Sequence, residues 1–353
     1  MRRLPGDTEE GTMSRKVLVY GLGVIGSVYA VRLAKAGFEV SVLARGERLA
    51  ALRSGGLRIR NVFLDFEESA PVNLLETLDP SVRYDLVLVA VRSGQILAAL
   101  RDAARLPMPE AVVVIGNNLD DLSEQAALAG EDRLVLGFGA FGGYRDGALI
   151  AYLDGRTRDR PGADRIGHST LGAYSSSGAR ALEAVRSAFT EAGLPVRECP
   201  DMRSWFLYHA ALVFPLAGAI YAAGGGQERV CRTRDALVLG VRACRELFSA
   251  LARLGYGITP AGLRMFTLLP EPLLLGRLRK ALAGEAARVA MFGHALAPGG
   301  RSELGSRARV LDGIVRKAGA PLPSWDRLLP YFPDNGTEPL LPDGSRALRP
   351  RLW

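Results

Sequence analysis

The sequence predicts two domains, an α/β domain built on a parallel sheet and, after residue 200, an all-α domain. Three observations predict this. Short all-apolar runs recur through the first two hundred residues, separated by segments with apolar residues at three- and four-residue spacing. Strands that alternate with helices specify a sheet covered on both faces. A glycine-rich turn, Gly21-Leu22-Gly23-Val24-Ile25-Gly26, joins the first apolar run to the first helical segment. Past Pro200 the runs give way to almost continuous helical spacing. At 353 residues the chain is long enough for two cores.

The elements follow in order. Residues 1–14 read as a disordered leader, with Met13 an alternative start. Residues 17–20 form a buried parallel strand, and 25–36 a helix that stops at Gly37, a residue suited to the left-handed position after a helix. Strands are expected at 40–44, 86–91, 112–115 and 134–137, with helices near 94–105 and 119–129. Residues 148–152 and the segment around 165–167 are expected as short antiparallel strands at the far edge of this sheet. A helix at 179–192 and a strand at 195–198 complete the domain, which spans 15–200. In the second domain, 201–332, helices are expected at Met202–Ala222, 228–254, 261–265, 273–296 and 304–317, followed by an irregular tail from 333 to 353.

Composition narrows the function. Hydrophobic residues are 48% and charged residues 23%, the profile of a soluble globular protein. The net charge of +8 is spread along the chain with no run of five Lys/Arg, and aromatics are 7%, which argues against a nucleic-acid surface. Cys199, Cys231 and Cys244 are too far apart for a metal or redox motif, so no metal is expected and the thiols fit a reducing, cytoplasmic setting. No apolar signal segment follows Arg2 and Arg3. The stretch 205–223 is nearly long enough to span a bilayer, but it carries His209 and Pro215 and reads as a core helix, so no membrane partner is expected. The long helices after 200 suit a homodimer interface or a monomer's core equally well.

The glycine turn carries the chemistry. A G-x-G-x-x-G between an apolar strand and an apolar helix is the context of a Rossmann-type dinucleotide site. The first glycine permits the tight turn, the second admits the pyrophosphate, and the third lets helix and strand pack. An NAD site usually carries Asp or Glu at the end of the second strand to hold the ribose 2′-hydroxyl. Here Ala44-Arg45-Gly46 stands there instead. A guanidinium suits a 2′-phosphate, so the expected cofactor is NADPH/NADP+.

With these residues in view, the chain resembles the ketopantoate reductase (2-dehydropantoate 2-reductase) family over roughly residues 15–332. The resemblance rests on GLGVIG, on LAR ending at Arg45, and on LVLVAVRSGQ ending at Gln95. It also rests on GNN at 116–118, YRDG ending at Gly147, the helix holding Trp205, and Glu303 sixteen residues before Gly319. It implies an α/β Rossmann-type N-terminal domain followed by an all-α C-terminal domain like that of 6-phosphogluconate dehydrogenase. It further implies that the cofactor is held by the glycine turn, Arg45, Val91, Arg92, Asn117, Gly143 and Glu303, and that Asn117 and Glu303 also reach the substrate.

The second domain departs from that pattern. Family members carry a catalytic lysine two residues after the helix tryptophan, where it protonates the carbonyl oxygen that accepts hydride. That position is Leu207 here, and Ala210, Ala211 and Phe214 occupy the stretch of the substrate-binding asparagines. The segment 297–300 looks like a short insertion, and the family's substrate serine is not identifiable. A leucine cannot donate a proton or neutralise an alkoxide. Tyr208 and His209 are the nearby candidates for that role, while Leu207, Ala211 and Phe214 are expected to line an apolar substrate pocket. His168 and His294 read as structural. Three readings follow: an NADPH-dependent reductase of a C=O or C=N in a small substrate other than ketopantoate; a ketopantoate reductase with a substituted proton donor; and a catalytically silent NADPH-binding protein.

Overall fold

A computed structural model describes residues 14–139, 141–154 and 167–333. Apart from Ser14 and Pro333, the expected leader and tail lie outside the described residues, as does most of the strand expected around 165–167. The main sheet holds eight strands: β1 (Lys16–Tyr20), β2 (Glu39–Leu43), β5 (Asn73–Leu75), β6 (Leu86–Val89), β7 (Ala111–Ile115), β8 (Leu134–Phe138), β11 (Ser169–Ala173) and β12 (Val196–Glu198). Their spatial order is β12-β11-β8-β7-β6-β1-β2-β5. From β5 to β8 every pairing is parallel, and β11 runs antiparallel to β8. The chain order reverses between β1 and β6, and the crevice at such a reversal is where open α/β sheets bind ligands.

Both faces of the central strands are apolar because both are covered. Val17, Val19, Leu86, Leu88, Val113 and Val135 face one core together with α1 (Val24–Lys35) and α5 (Ala179–Glu191). Their alternate neighbours Leu18, Val87, Val89, Val112, Val114 and Leu136 face the other, which runs on without a break into the helical domain. This is the period of two along a strand, read out as two cores.

A second sheet, in the order β4-β3-β10-β9, was not foreseen. It consists of β3 (Arg58–Asn61), β4 (Phe66–Ser69), β9 (Gly142–Asp146) and β10 (Leu149–Leu153). Residues 148–152 therefore belong to this sheet rather than to the edge of the main one. The buried Glu68 of β4 ties it to α1 through Arg32 at 2.7 Å and Lys35 at 2.6 Å. Helices α2 (Gly46–Gly55), α3 (Ile96–Ala103) and α4 (Leu122–Ala129) follow β2, β6 and β7.

In the helical domain α6 (Met202–Ala222) starts where the Asp201 carboxylate accepts the Ser204 amide, an N-cap. It is long and apolar enough to cross a membrane, yet 83% of its apolar window is buried inside the protein, as in a core helix. Its main partner is α8 (Arg234–Arg253). Two expected helices are broken. Thr233, with φ −88° and ψ 81°, separates α7 (Gln227–Arg232) from α8, and an extended Gly284 ends α10 (Glu271–Leu282). Beyond α9 (Met265–Leu268) and α10 come α11 (Glu285–Ala287), a π-helical turn at Arg288–Phe292 and α12 (Gly293–Leu296). The expected insertion at 297–300 is the start of α13 (Pro298–Val315), with a proline in its first turn, a position that suits proline. The short α14 (Pro323–Leu328) closes the domain on α8.

Candidate active site

The glycine turn has the geometry a dinucleotide requires. Gly21 has φ +106°, and a Cβ there would lie 2.5 Å from the Ala90 carbonyl oxygen and 2.7 Å from Val91 Cγ1. A Cβ on Gly26 would collide with the Gly21 carbonyl. Gly23, the N-cap of α1, has nothing within 4 Å of its missing side chain. Leu22 is buried beneath the turn, and Val24 and Ile25 open the helix. The glycines that pack are crowded and the glycine that should meet a ligand faces open space. No acidic side chain occupies the first turn of α1, so its amides remain electropositive.

Arg45 caps α2 just past β2 and is exposed. Its only hydrogen bond among the described residues is a long one, Nε to the Glu76 carbonyl at 3.4 Å, and the Glu76 carboxylate is occupied by Arg53 at 2.5 Å. The terminal guanidinium nitrogens of Arg45 are thus available beside a helix N-terminus.

Asn117 sits just past β7, where Gly116 N–H still bonds the Gly137 carbonyl at 3.0 Å. That register places it beside Phe138 and Gly139 at the end of β8. Its loop is held from both sides. Arg203 of α6 donates to the carbonyls of Leu119 and Asp120 at 3.0 Å each, and Arg307 of α13 pairs with the Asp120 carboxylate at 2.6 Å. Asn118 and Gln125 exchange two buried amide bonds at 2.7 and 3.0 Å. Within this rigid frame the Asn117 Oδ1 is buried with no hydrogen-bond partner. An orphaned buried acceptor is costly unless a donor arrives, and a ribose hydroxyl or a carboxamide would supply one.

Across the crevice, α13 presents a stripe at four-residue spacing. The Arg92 guanidinium, reaching over from the end of β6, packs against Gly299 so closely that a side chain there would collide. Arg307 holds Asp120 two turns further on. Between them Glu303 is half-buried and has no hydrogen-bond or ion-pair partner among the described residues. Gly143 lies in the second sheet, opposite Tyr152 on β10, with no room for a side chain beside the Ala151 carbonyl.

The two faces of α6 separate the remaining candidates. Apart from Arg203, the only residues of this helix not fully buried are His209, Leu212 and Val213. With Trp205 they fall on one face at about 100° per residue. That face meets the end of β8: the Phe138 ring lies 4.8 Å from Trp205 and 4.4 Å from His209, and the Trp205 and His209 rings stack at 4.9 Å with 10° between planes. Packing of the ring pushes the His209 pKa down to about 4, so the imidazole is neutral at pH 7. Leu207, Ala211 and Phe214 are on the opposite face, 0% exposed and part of the core. They do not line an open pocket, because the helix backbone stands between them and the crevice. Tyr208 is also fully buried, and its hydroxyl donates to the Tyr256 carbonyl at 2.9 Å, with burial pushing its pKa up to about 12. It braces α6 against the loop after α8 and cannot serve as a proton donor from there. A cavity of about 520 Å³ between α4 and α13, lined by residues including Tyr174, Arg203, Val310 and Ile314, contains none of Asn117, His209 or Glu303.

The fold that carries these parts is shared with known proteins. Residues 17–163 match the family described as Ketopantoate reductase PanE/ApbA. That domain belongs to the ketopantoate reductase family. A 2-dehydropantoate 2-reductase from Pyrococcus abyssi is 24% identical over 227 residues, covering 63% of this chain and 69% of that protein. Over 90% of its length the chain also shares the fold of solved structures. These include a 2-dehydropantoate 2-reductase from Geobacter metallireducens GS-15 (TM-score 0.69, 16% identity, 98% of that chain) and a D-mandelate dehydrogenase holding NADH and anilino(oxo)acetate (TM-score 0.69, 14% identity, 96% of that chain). Ketopantoate reductases are oxidoreductases that use a nicotinamide dinucleotide. For this family's lysine position the structure gives a local result: Leu207 points into the core, and His209 is the polar residue of α6 on the cleft face. Arg203, Arg307, Leu212 and Val213 were missed in the sequence; the arginine at the start of an otherwise apolar helix was the one available signal.

Proposed function

We propose that the chain is an NADPH-dependent reductase that transfers hydride to the C=O or C=N of a small substrate other than ketopantoate. When bound, the dinucleotide supplies the hydride. The carrying observation for the cofactor is the glycine turn, crowded at Gly21 and Gly26 and open at Gly23, with Arg45 and no carboxylate at the end of β2. The Arg45 guanidinium would meet the 2′-phosphate and Arg92 the negative charge of the dinucleotide. Asn117 Oδ1 would accept from the nicotinamide half. Glu303, with no hydrogen-bond or ion-pair partner among the described residues, would accept from a ribose or substrate hydroxyl.

The substrate reading rests on α6, whose cleft face offers no amine and, beyond His209 and the Trp205 indole, only Leu212 and Val213. A pocket with few polar groups favours a carbonyl compound with a larger apolar part, or an imine that arrives protonated and requires less acid assistance. Fluorescence titration tests the cofactor: NADPH is expected to bind at least about tenfold more tightly than NADH, and Arg45→Ala to remove most of that difference. Equal affinities in the unaltered protein would overturn the NADPH assignment. Turnover is tested by NADPH oxidation with a panel of keto acids and imines. No oxidation by any of them, with tight binding intact, would favour a silent NADPH-binding protein.

A further inference from the structure

The His209 ring has a setting that packing alone does not explain. It is stacked on Trp205 and tilted against Phe138, yet it is partly exposed, and neither ring nitrogen has a hydrogen-bond partner among the described residues. A buried structural histidine usually spends at least one nitrogen on a neighbour. Phe138 is the last residue of β8, and the β7–β8 register sets it beside the Asn117 loop, so His209 stands at the nicotinamide end of the crevice. Gly139, the next residue, approaches Ile25 of the glycine turn: a Cβ there would lie 3.3 Å from Ile25 Cγ2. Further along the same stripe of α6 come Leu212 and Val213, both partly exposed and apolar.

We infer that His209 is the catalytic hydrogen-bond donor of this protein, its ring N–H meeting the carbonyl oxygen of a substrate whose bulky apolar substituent lies on Leu212 and Val213. The inference rests on the reductase reading above. As hydride adds to the carbonyl carbon, the C=O π pair moves onto oxygen. The neutral imidazole N–H stabilises that oxygen as a fixed donor aimed where charge develops. A proton from water in the cleft completes the hydroxyl, and the dinucleotide is left oxidised. Low basicity fits this role: an imidazole that stays neutral at pH 7 donates a hydrogen bond without first capturing a proton.

The test uses the full chain with NADP+ and anilino(oxo)acetate as a non-reducible aromatic oxo acid, and phenylglyoxylate with NADPH for turnover. In nitrogen-15 imidazole spectra the His209 N–H is expected to stay neutral from pH 5.5 to 8 and to move downfield when anilino(oxo)acetate binds. Pyruvate should bind at least about tenfold more weakly than anilino(oxo)acetate, since it lacks the apolar group. His209→Phe keeps a ring packed against Trp205 and Phe138 but removes the donor. It should lower kcat by about 100-fold, the typical effect of losing one oxyanion donor, with the NADPH Kd unchanged. His209→Gln restores an N–H and should recover most of that loss. An unmoved His209 resonance in the protein saturated with NADP+ and the oxo acid, or a His209→Phe variant with unaltered kcat, overturns the inference. So does a parallel loss of NADPH affinity in His209→Phe, which would make the ring structural. Failure of the unaltered protein to bind NADPH or NADH would instead overturn the cofactor reading on which this rests.

Discussion

The two faces of α6 are chemically similar in sequence and opposite in fate. One carries Trp205, His209, Leu212 and Val213 to the crevice; the other sinks Leu207, Ala211 and Phe214 into the core shared with α8. Counting residues from Trp205 gives Leu207 the place of a missing catalytic group. The structure gives that residue a packing role. The difference teaches that a lost functional position is identified by the face it occupies and only secondarily by its spacing from a landmark.

The largest expected effect breaks this comparison most sharply. Leu207→Lys buries an unpaired ammonium, so it should destabilise the protein by about 3–5 kcal/mol and create no activity. Urea denaturation measures the first and NADPH oxidation the second; a stable, newly active variant would mean that Leu207 faces the crevice after all.

Next in size is a pH effect on the other face. The folded pKa of His209 lies near 4, below an unfolded value near 6.5, so the unfolded chain binds more protons between these limits. The contribution is therefore fully present above about pH 6.5 and is lost as pH falls towards 4. For a partly exposed ring its size is on the order of 2 kcal/mol. Comparing the stability of the unaltered protein with His209→Phe across pH 4–7 isolates it; the difference between the two curves should shift in favour of His209→Phe as pH falls, and parallel curves would exclude the shift.

Arg307→Ala sharpens the link between the faces and the cofactor. It removes the 2.6 Å pair with Asp120 that steadies the Asn117 loop. Dinucleotide binding should weaken by about tenfold, the order of a lost partly buried charge pair. Calorimetric titration with NADPH measures it, and an unchanged Kd would show that the loop holds itself. The smallest effect is at Tyr208→Phe, which deletes the bond to the Tyr256 carbonyl. About 1 kcal/mol of stability should be lost with turnover unchanged, whereas a variant of full stability and lost turnover would return Tyr208 to the chemistry.

How much of this was legible in the sequence follows from what each segment has to cover it. The central strands are uniformly apolar because helices lie on both sides, so 17–20, 86–91 and 112–115 stand out by composition alone. The glycine turn is equally plain, since only glycine tolerates φ +106° at Gly21 and the approach of Gly21 to Gly26. The second sheet escaped notice because β3 and β4 have four residues each and three of the eight, Arg58, Arg60 and Glu67, are charged and solvent-facing. Such runs are too short for alternation to show. Within α6 the sequence is apolar all round, so no polar stripe marks the outward face, and only burial by α8 and β8 distinguishes His209 from Leu207. The positioning pairs of Arg203 and Arg307 join residues more than eighty positions apart and have no local pattern.

The central claim is that the crevice above β6, β7 and β8 holds the reactive end of NADPH against the Trp205–His209 face of α6. A crystal structure of the complex with NADPH tests this directly. The nicotinamide ring is expected beside Asn117 and Gly139, with a His209 ring nitrogen the nearest α6 polar atom to its C4. A nicotinamide ring packed against Leu207, or lying away from α6 altogether, would contradict it.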